Sequence, residues 1–190
     1  STLTSLCNIA VAHGRLYNRK KSLELHEKVY GLRCEILGEE HPDTLNSMTN
    51  LAAICRHGGD TARSLELQEK AYALQCRVLG EEHPDTMRSL QGLADTYGNM
   101  DEHARALELH QRVYDMRRRI YGEEFPDTLT SLHDIAYSYG RLGDYGKEAE
   151  LGQRVYDLRV RVLGEEHKET LVSLHNLAIT CTDLGEKERA

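Results

Sequence analysis

The chain is poor in the residues that fill one large core or mark a membrane span. It has no tryptophan and only one phenylalanine in 190 residues. No apolar run in the sequence approaches the roughly 18 residues of a membrane-spanning helix. We therefore expect several small cores built from Leu, Ala, Val and Tyr, and no membrane partner.

Basic residues are not in excess either. The sequence has 24 Lys and Arg against 31 Asp and Glu, a formal net charge of −7. Nucleic acids and anionic membranes are bound by clustered Lys and Arg, so this balance argues against both partners. We expect no nucleic-acid binding.

Cysteine is sparse and lies at regular intervals. The five cysteines form no C-x-x-C pair, and Cys34 lies 42 residues before Cys76. Cys55 and Cys181 also occupy equivalent places, three such intervals apart. This placement predicts small buried apolar residues rather than disulfide partners or zinc ligands, and it favours a reducing, cytoplasmic setting.

The motifs of common enzymes are absent. The sequence has no Gly-rich phosphate loop, no G-x-S-x-G and no H-E-x-x-H. His57, His133 and Asp134 could share one surface, and a His beside an acid is the minimal general-base pair. Ten histidines among so many charged residues also form such pairs by chance. We expect neither enzymatic activity nor a cofactor.

What the sequence does contain is one segment repeated at a fixed interval. Leu-Gly-Glu-Glu-His-Pro-Asp-Thr-Leu begins at Leu37, and near-copies begin at Leu79, Tyr121 and Leu163, each 42 residues after the last. A constant period indicates one structural unit stacked several times. The sequence predicts a single array over residues 1–190, with units of approximately 1–42, 43–84, 85–126 and 127–168 and a partial unit 169–190.

Each unit contains two blocks of apolar residues at helical spacing. In the second unit the first block runs from Leu45 to Cys55 and the second from Leu65 to Val78. Gly58-Gly59-Asp60 separates them, as the end of a helix and a turn would. Each unit is thus predicted to be a helical hairpin, with a helix A of about 14 residues and a helix B of about 18.

The repeated loop is predicted to start helix A. Pro42 is tolerated in a first helical turn, and Asp43 suits the positive end of the helix. The repeated Glu-Glu-His could instead suggest a metal site, but a cap fits its neighbours better and Phe125 replaces the third His. We expect no metal. Arginines near the ends of the B helices are predicted to stabilise the helix dipole: Arg33, Arg77, Arg117, Arg119, Arg159 and Arg161.

Two columns of equivalent residues are predicted to pack the hairpins. Small side chains let helix A approach helix B, and they recur at Ala10, Ala52, Ala94, Ala136 and Ala178. An aromatic filler between hairpins, which could alternatively form a ligand platform, recurs at Tyr30, Tyr72, Tyr114 and Tyr156. One column is irregular, since Gly152 stands where the other B helices have His26, Gln68 and His110. With Gly146, it should weaken the fourth helix B by about 1 kcal/mol per Gly relative to Ala.

The hairpin pattern resembles the tetratricopeptide repeat. The likeness is carried by Asn50-Leu51-Ala52, Leu93-Ala94-x-x-Tyr97 and Asn176-Leu177-Ala178, each ahead of a turn. The 42-residue period, longer than the usual ~34, resembles the kinesin-light-chain-like type, which includes long bacterial repeat proteins. The resemblance implies an all-α fold, a right-handed superhelical solenoid of antiparallel helical hairpins, here four hairpins plus one extra A helix.

In such a solenoid the A helices line a concave groove. The resemblance therefore implies a protein–protein interaction scaffold that binds a peptide segment there. Asn can hydrogen-bond a peptide backbone and Arg can bind carboxylates, so we expect an acidic or mixed-charge ligand. The predicted groove residues are Asn8, Arg15, Asn46, Asn50, Arg56, His57, Arg88, Gln91, Asp95, Asn99, His133, Asp134, Tyr137, Arg141 and Asn176.

Other interpretations of the same pattern stay open. The groove positions vary between units, which suits an irregular peptide, but unselected variation on a solvated face would look the same. The carboxylate clamp of related repeats is matched only by Asn50 and Arg88. The alternative function is a regulatory or self-association array of a larger signalling protein. An array that opens inside a helix A and stops before a helix B exposes ends that could stack between molecules.

Overall fold

The computed structural model describes residues 19–187, and these residues form eight α-helices and no β-strand. The chain divides into two compact units, Ser1–Met100 and Asp101–Ala190. The helices are α1 (Arg19–Leu37), α2 (Pro42–Gly58), α3 (Thr61–Leu79), α4 (Pro84–Asn99), α5 (His103–Tyr121), α6 (Pro126–Arg141), α7 (Tyr145–Leu163) and α8 (Lys168–Lys187).

The described helices alternate between the two predicted types. The B helices α1, α3, α5 and α7 have 19 residues each, slightly more than expected. The A helices α2, α4, α6 and α8 have 16 to 20 residues. Within each compact unit, every helix packs against the next one along the chain. The predicted helical hairpins are confirmed.

The repeated histidine caps helix A. The Nδ1 atoms of His41, His83 and His167 accept the backbone N–H two residues further on, at 3.1, 3.1 and 3.2 Å. This bond satisfies one of the N–H groups that a helix start leaves unpaired. Phe125 makes no such bond, and its ring stacks on Tyr121 with the centroids 4.8 Å apart. The interpretation of the loop histidines as caps is confirmed.

The turn between α2 and α3 has the helix-ending and helix-starting residues that the sequence predicts. Gly59 adopts φ of 89°, a left-handed conformation that favours glycine, and its N–H bonds the Arg56 carbonyl at 3.1 Å. Asp60 then caps α3 by accepting the Arg63 N–H at 3.1 Å. Gly58-Gly59-Asp60 therefore ends one helix and starts the next.

The alanine column lies in the core of both compact units. Ala52 and Ala94 are fully buried in the first unit, and Ala136 is buried in the second. Ala178 is exposed on α8, and Ala10 lies outside the described residues. The predicted role of small side chains between helices A and B is confirmed for the three buried alanines.

The tyrosine column also packs. In the second unit, Tyr114 is buried in one cluster with Leu129, Leu132 and Val155. Its hydroxyl donates to Glu123 at 3.1 Å. Tyr30, Tyr72 and Tyr156 are half-buried.

The cysteines follow the prediction only in part. The four described cysteines are free thiols. Cys55 is buried, whereas Cys34 and Cys76 are half-buried. The prediction is wrong for Cys181, which is exposed because no described helix follows α8 to cover that face. Cys7 lies outside the described residues.

Three of the B-helix arginines do not lie in the last turn, so their predicted role at the helix dipole is wrong. Arg117 Nη1 donates to the Asp127 carbonyl at 3.1 Å and to Ser131 Oγ at 2.7 Å, in the following helix A. Arg33 and Arg159 make the same two bonds at equivalent places. We call this pair of bonds the arginine clamp. Arg77, Arg119 and Arg161 do lie in last turns, as predicted.

Gln75 occupies the equivalent position on α3, where the arginine clamp is absent. Its side chain is 0% exposed, and neither Nε2 nor Oε1 has a hydrogen-bond partner. The shorter glutamine does not reach the acceptors on the next helix. Ser89, which corresponds to the clamped Ser131, instead lies 2.9 Å from Thr49 Oγ1.

Candidate functional site

The predicted groove residues fall on the A helices of both compact units. In the first unit they are Asn46, Asn50, Arg56 and His57 on α2 and Arg88, Gln91, Asp95 and Asn99 on α4. In the second unit they are His133, Asp134, Tyr137 and Arg141 on α6 and Asn176 on α8. Asn8 and Arg15 lie outside the described residues.

Arg88 is held by its own neighbours. Its Nη2 donates to Asn46 Oδ1 at 2.6 Å and lies 2.9 Å from Asp85 Oδ1. The Asn46 amide in turn lies 3.4 Å from Asp85 Oδ2. These bonds connect α2 to α4, so a ligand carboxylate would have to compete with Asp85 for the guanidinium.

Arg56 and Asp95 form a second connection between the same helices. Their ion pair is 2.8 Å long, with 15% and 30% of the two side chains exposed. Burial raises the pKa of Asp95, and the positive charges of Arg56 and His57 act in the opposite direction. Each charge neutralises the other, and both side chains are shielded from solvent. The ion pair therefore connects α2 to α4, and a ligand would have to compete with it.

The first unit is left with a modest polar surface. Asn50, His57 and Asn99 are exposed, and Gln91 is half-buried. This surface can donate and accept hydrogen bonds, but its two arginines are already paired.

The second unit contains a pocket of about 350 Å³ between α6, α7 and α8. It is lined by His133, Ala136, Tyr137, Glu148, Gly152, Ser173, Asn176, Leu177, Ile179 and Thr180. Three of the predicted groove residues, His133, Tyr137 and Asn176, are therefore brought together. A neighbouring depression of about 460 Å³ shares Tyr137, Glu148 and Ile179 and adds Gly140, Arg141 and Tyr145.

The polar groups of the pocket centre on His133. Asn176 Nδ2 lies 3.4 Å from His133 Nε2. Burial lowers the pKa of His133, and the charge of Arg159 lowers it further, against a smaller opposite effect of Glu169. The ring is therefore neutral at pH 7, and Nε2 can accept a hydrogen bond from the amide.

The hydroxyl protons of Ser173 and Thr180 at the pocket wall are already used. Ser173 donates to the Glu169 carbonyl and accepts from Arg159, at 3.1 and 2.6 Å. Thr180 donates to the Asn176 carbonyl at 3.1 Å. The rim is more accessible, because Tyr137 and Ile179 are 57% and 50% exposed. Asp134 is half-buried, and the exposed Arg141 lies 3.4 Å from Asp101.

The pocket exists because Gly152 has no side chain. At the equivalent position His26, Gln68 and His110 are all buried. In the first unit, Gln68 fills the space so fully that a Cβ added at Gly92 would overlap its amide. A Cβ added at Gly152 would meet only Leu177 Cδ1, at 3.6 Å. The sequence revealed the exceptional glycine, but its effect was predicted as a weaker helix rather than as a pocket.

Three stretches of the chain, residues 1–77, 50–119 and 97–159, match the family model of the tetratricopeptide repeat. The chain belongs to the tetratricopeptide repeat family. The predicted resemblance and the all-α solenoid fold are thus confirmed. A comparison with curated proteins gave no match. No described helix of this tetratricopeptide-repeat array has the length and apolar character needed to cross a membrane.

Solved structures of the same fold include repeats of kinesin light chain type and Rap proteins. One is a Podosopora anserina protein of kinesin light chain type, whose TPR-like repeats are nearly identical to one another. Its sequence is 28% identical to this chain, the match covers 99% of this chain and 89% of that one, and the TM-score is 0.82. BtubC (BKLC) from P. vanneervenii is 19% identical, with coverages of 87% and 66% and a TM-score of 0.75. A Rap protein crystallised with competence and sporulation factor is 10% identical, with coverages of 95% and 48% and a TM-score of 0.76.

Proposed function

We propose that this tetratricopeptide-repeat array is a scaffold that binds a peptide segment of a partner protein on its A-helix faces. Tetratricopeptide-repeat proteins generally mediate protein–protein interactions. The observation that carries the proposal is the pocket between α6, α7 and α8, which opens beside the exposed Tyr137 and Ile179. An apolar rim around a few polar groups suits the anchoring of a side chain.

The charges around the pocket favour a peptide of mixed charge. Arg141 and Glu148 line the neighbouring depression, and the half-buried Asp134 also lies on α6. In the first unit, Arg56 and Arg88 are already paired with Asp95 and Asp85. A purely acidic peptide would therefore find few unpaired cations there, so specificity rests on shape and neutral hydrogen bonds more than on charge.

The test is selection of peptides from a random display library with the full 190-residue chain. Selected peptides are then measured against Ile179→Asp and against Ile36→Asp. Ile36 is a matched control, because it is 64% exposed on α1 and lies outside the pocket. We expect Ile179→Asp to weaken binding at least tenfold and Ile36→Asp to leave it unchanged. Failure to enrich any peptide would refute the proposal, as would equal binding by both variants.

A second candidate function, self-association, is favoured by the exposed apolar face of α8. Leu171 and Leu174 are 52% and 44% exposed, whereas their equivalents on α6, Leu129 and Leu132, are buried. An uncovered apolar face favours docking of another helix. Sedimentation equilibrium over a hundredfold concentration range should then give a mass that rises with concentration in the wild type and stays monomeric in Leu174→Glu. A constant mass in both would exclude this function.

A further inference from the structure

The pocket in the second unit lies at the place that a buried side chain fills in the equivalent part of the first unit. Gln68 occupies the equivalent place on α3, where its amide lies against Gly92 of α4. On α7 and α8 the sizes are reversed, because Gly152 faces the position of Asn176. The asparagine does not fill the space, and a pocket of about 350 Å³ remains open.

Inside the exposed rim that Tyr137 forms, one polar atom of His133 and one of Asn176 have no partner among residues 19–187. Within the described part of the chain, His133 makes one side-chain bond, between its Nε2 and the Asn176 amide, and its Nδ1 has no partner there. The same bond uses Asn176 Nδ2, and no described residue donates to its carbonyl oxygen Oδ1. With Nε2 as the acceptor, the ring proton lies on Nδ1. Inside the rim, His133 and Asn176 therefore offer one donor and one acceptor.

This pair of groups selects between kinds of ligand side chain. A primary amide both donates and accepts, so it can satisfy both atoms. A carboxylate only accepts, and it would meet Asn176 Oδ1 and the Glu148 carboxylate unfavourably. An ammonium or guanidinium only donates, so it cannot use the Nδ1 proton, and the nearby charge of Arg159, which already acts on His133, opposes it.

We infer that the Gly152 pocket binds the side chain of a glutamine in the partner peptide, in the place that Gln68 fills from within on α3. The inference rests on the proposed function, since it names the residue that the bound peptide inserts. The apolar walls formed by Ala136 and Leu177 suit the methylene groups of that side chain, and the amide reaches His133 and Asn176.

The test uses a small probe, N-acetyl-glutamine methylamide, titrated into the full isotope-labelled chain. The readouts are the NMR shifts of the Gly152 amide and of the His133 ring. The glutamate and lysine counterparts are titrated in parallel. We expect the glutamine probe to move both signals with an affinity roughly tenfold above that of either charged probe.

Two variants locate the effect. Gly152→Gln fills the pocket from within and should abolish the shift of the His133 ring. Gly146→Gln makes the same change on the same helix, at an exposed position where an added Cβ would meet only Asp144 Oδ1, at 3.8 Å, and should leave binding unchanged. Because both variants replace a helical Gly by a better helix former, circular dichroism should find both folded.

Three outcomes would overturn the inference: no shift at Gly152 or His133, equal or tighter binding of the charged probes, or unchanged probe binding by Gly152→Gln. Such a failure is separable from failure of the proposed function. Library peptides that lack glutamine, bind Gly152→Gln normally and lose binding to Ile179→Asp would overturn only the inference. Absence of any selected peptide would overturn the proposed function as well.

Discussion

Gln75→Met is expected to stabilise the protein. The Gln75 side chain is fully buried on α3, and both ends of its amide lack a partner. A buried polar group without a hydrogen bond costs about 1–3 kcal/mol, so the two groups together cost roughly 2–6 kcal/mol by the same rule. Methionine has a similar shape and length and no polar group to satisfy.

The net increase in the free energy of unfolding is smaller than the cost that is removed with the two unpaired polar groups. A swap of similar volume in a packed core still loses up to about 1.5 kcal/mol through imperfect fit. We therefore expect a net increase in the free energy of unfolding of about 1–3 kcal/mol. For a chain of this size, each kcal/mol shifts Tm by about 2–4 °C, so Tm should rise by roughly 2–12 °C.

The assay is urea unfolding and thermal melting followed by far-ultraviolet circular dichroism. Gln111→Met is the matched control, because Gln111 is exposed on α5, and it should change stability very little. Gln75→Arg should be at least as stable as the wild type, because an arginine there can reach the Asp85 carbonyl and the Ser89 hydroxyl as the arginine clamp does elsewhere. If Gln75→Met is less stable than the wild type, the amide has a partner and the reasoning is wrong.

Three further predictions concern stability. Ala94→Leu should overpack the first unit and lower the free energy of unfolding by about 1–3 kcal/mol. Ala178→Leu, in the same column but exposed, should have the Tm of the wild type. Equal Tm values for the two variants would contradict the assigned core. Phe125→His should supply the missing cap of α6 and raise the free energy of unfolding by about 0.5–2 kcal/mol, as measured by urea unfolding. No increase would mean that the lost stacking of Phe125 on Tyr121 costs as much as the cap contributes. Arg56→Ala should cost about 1–3 kcal/mol at pH 7, because it removes the guanidinium that neutralises the shielded Asp95 carboxylate. The folded-state pKa of Asp95 is already raised above its unfolded value, and loss of Arg56 raises it further. The deficit should therefore shrink as the pH falls through that folded pKa, and a deficit independent of pH would exclude this cause.

The fold could be predicted because each helix and turn depends on residues close together in the sequence, and the same pattern recurs in successive units. The 42-residue period, the apolar spacing from Leu45 to Cys55 and the Gly58-Gly59-Asp60 turn each act within a few residues of the chain. Their agreement over successive units made the hairpins, the histidine caps and the buried alanines predictable.

The site could be predicted only in part, because it depends on contacts between helices. The A-helix position of Arg56 and Arg88 followed from the period, but their pairing with Asp95 and Asp85 depends on how α2 packs against α4. The arginine clamp was missed for the same reason. Gly152 was visible as an exception, yet its meaning required knowing that Gln68 is buried against α4.

The arginine clamp makes neighbouring helices open together. Wherever it is present, the first turns of helix A cannot fray without also freeing a guanidinium from the preceding helix B. Between α3 and α4 that link is absent, because Gln75 does not span the gap. Among the described helices, α3 and α4 are therefore less tightly linked than the pairs that have the arginine clamp. Native-state amide exchange should be faster in the first turn of α4 than in the first turns of α2, α6 and α8.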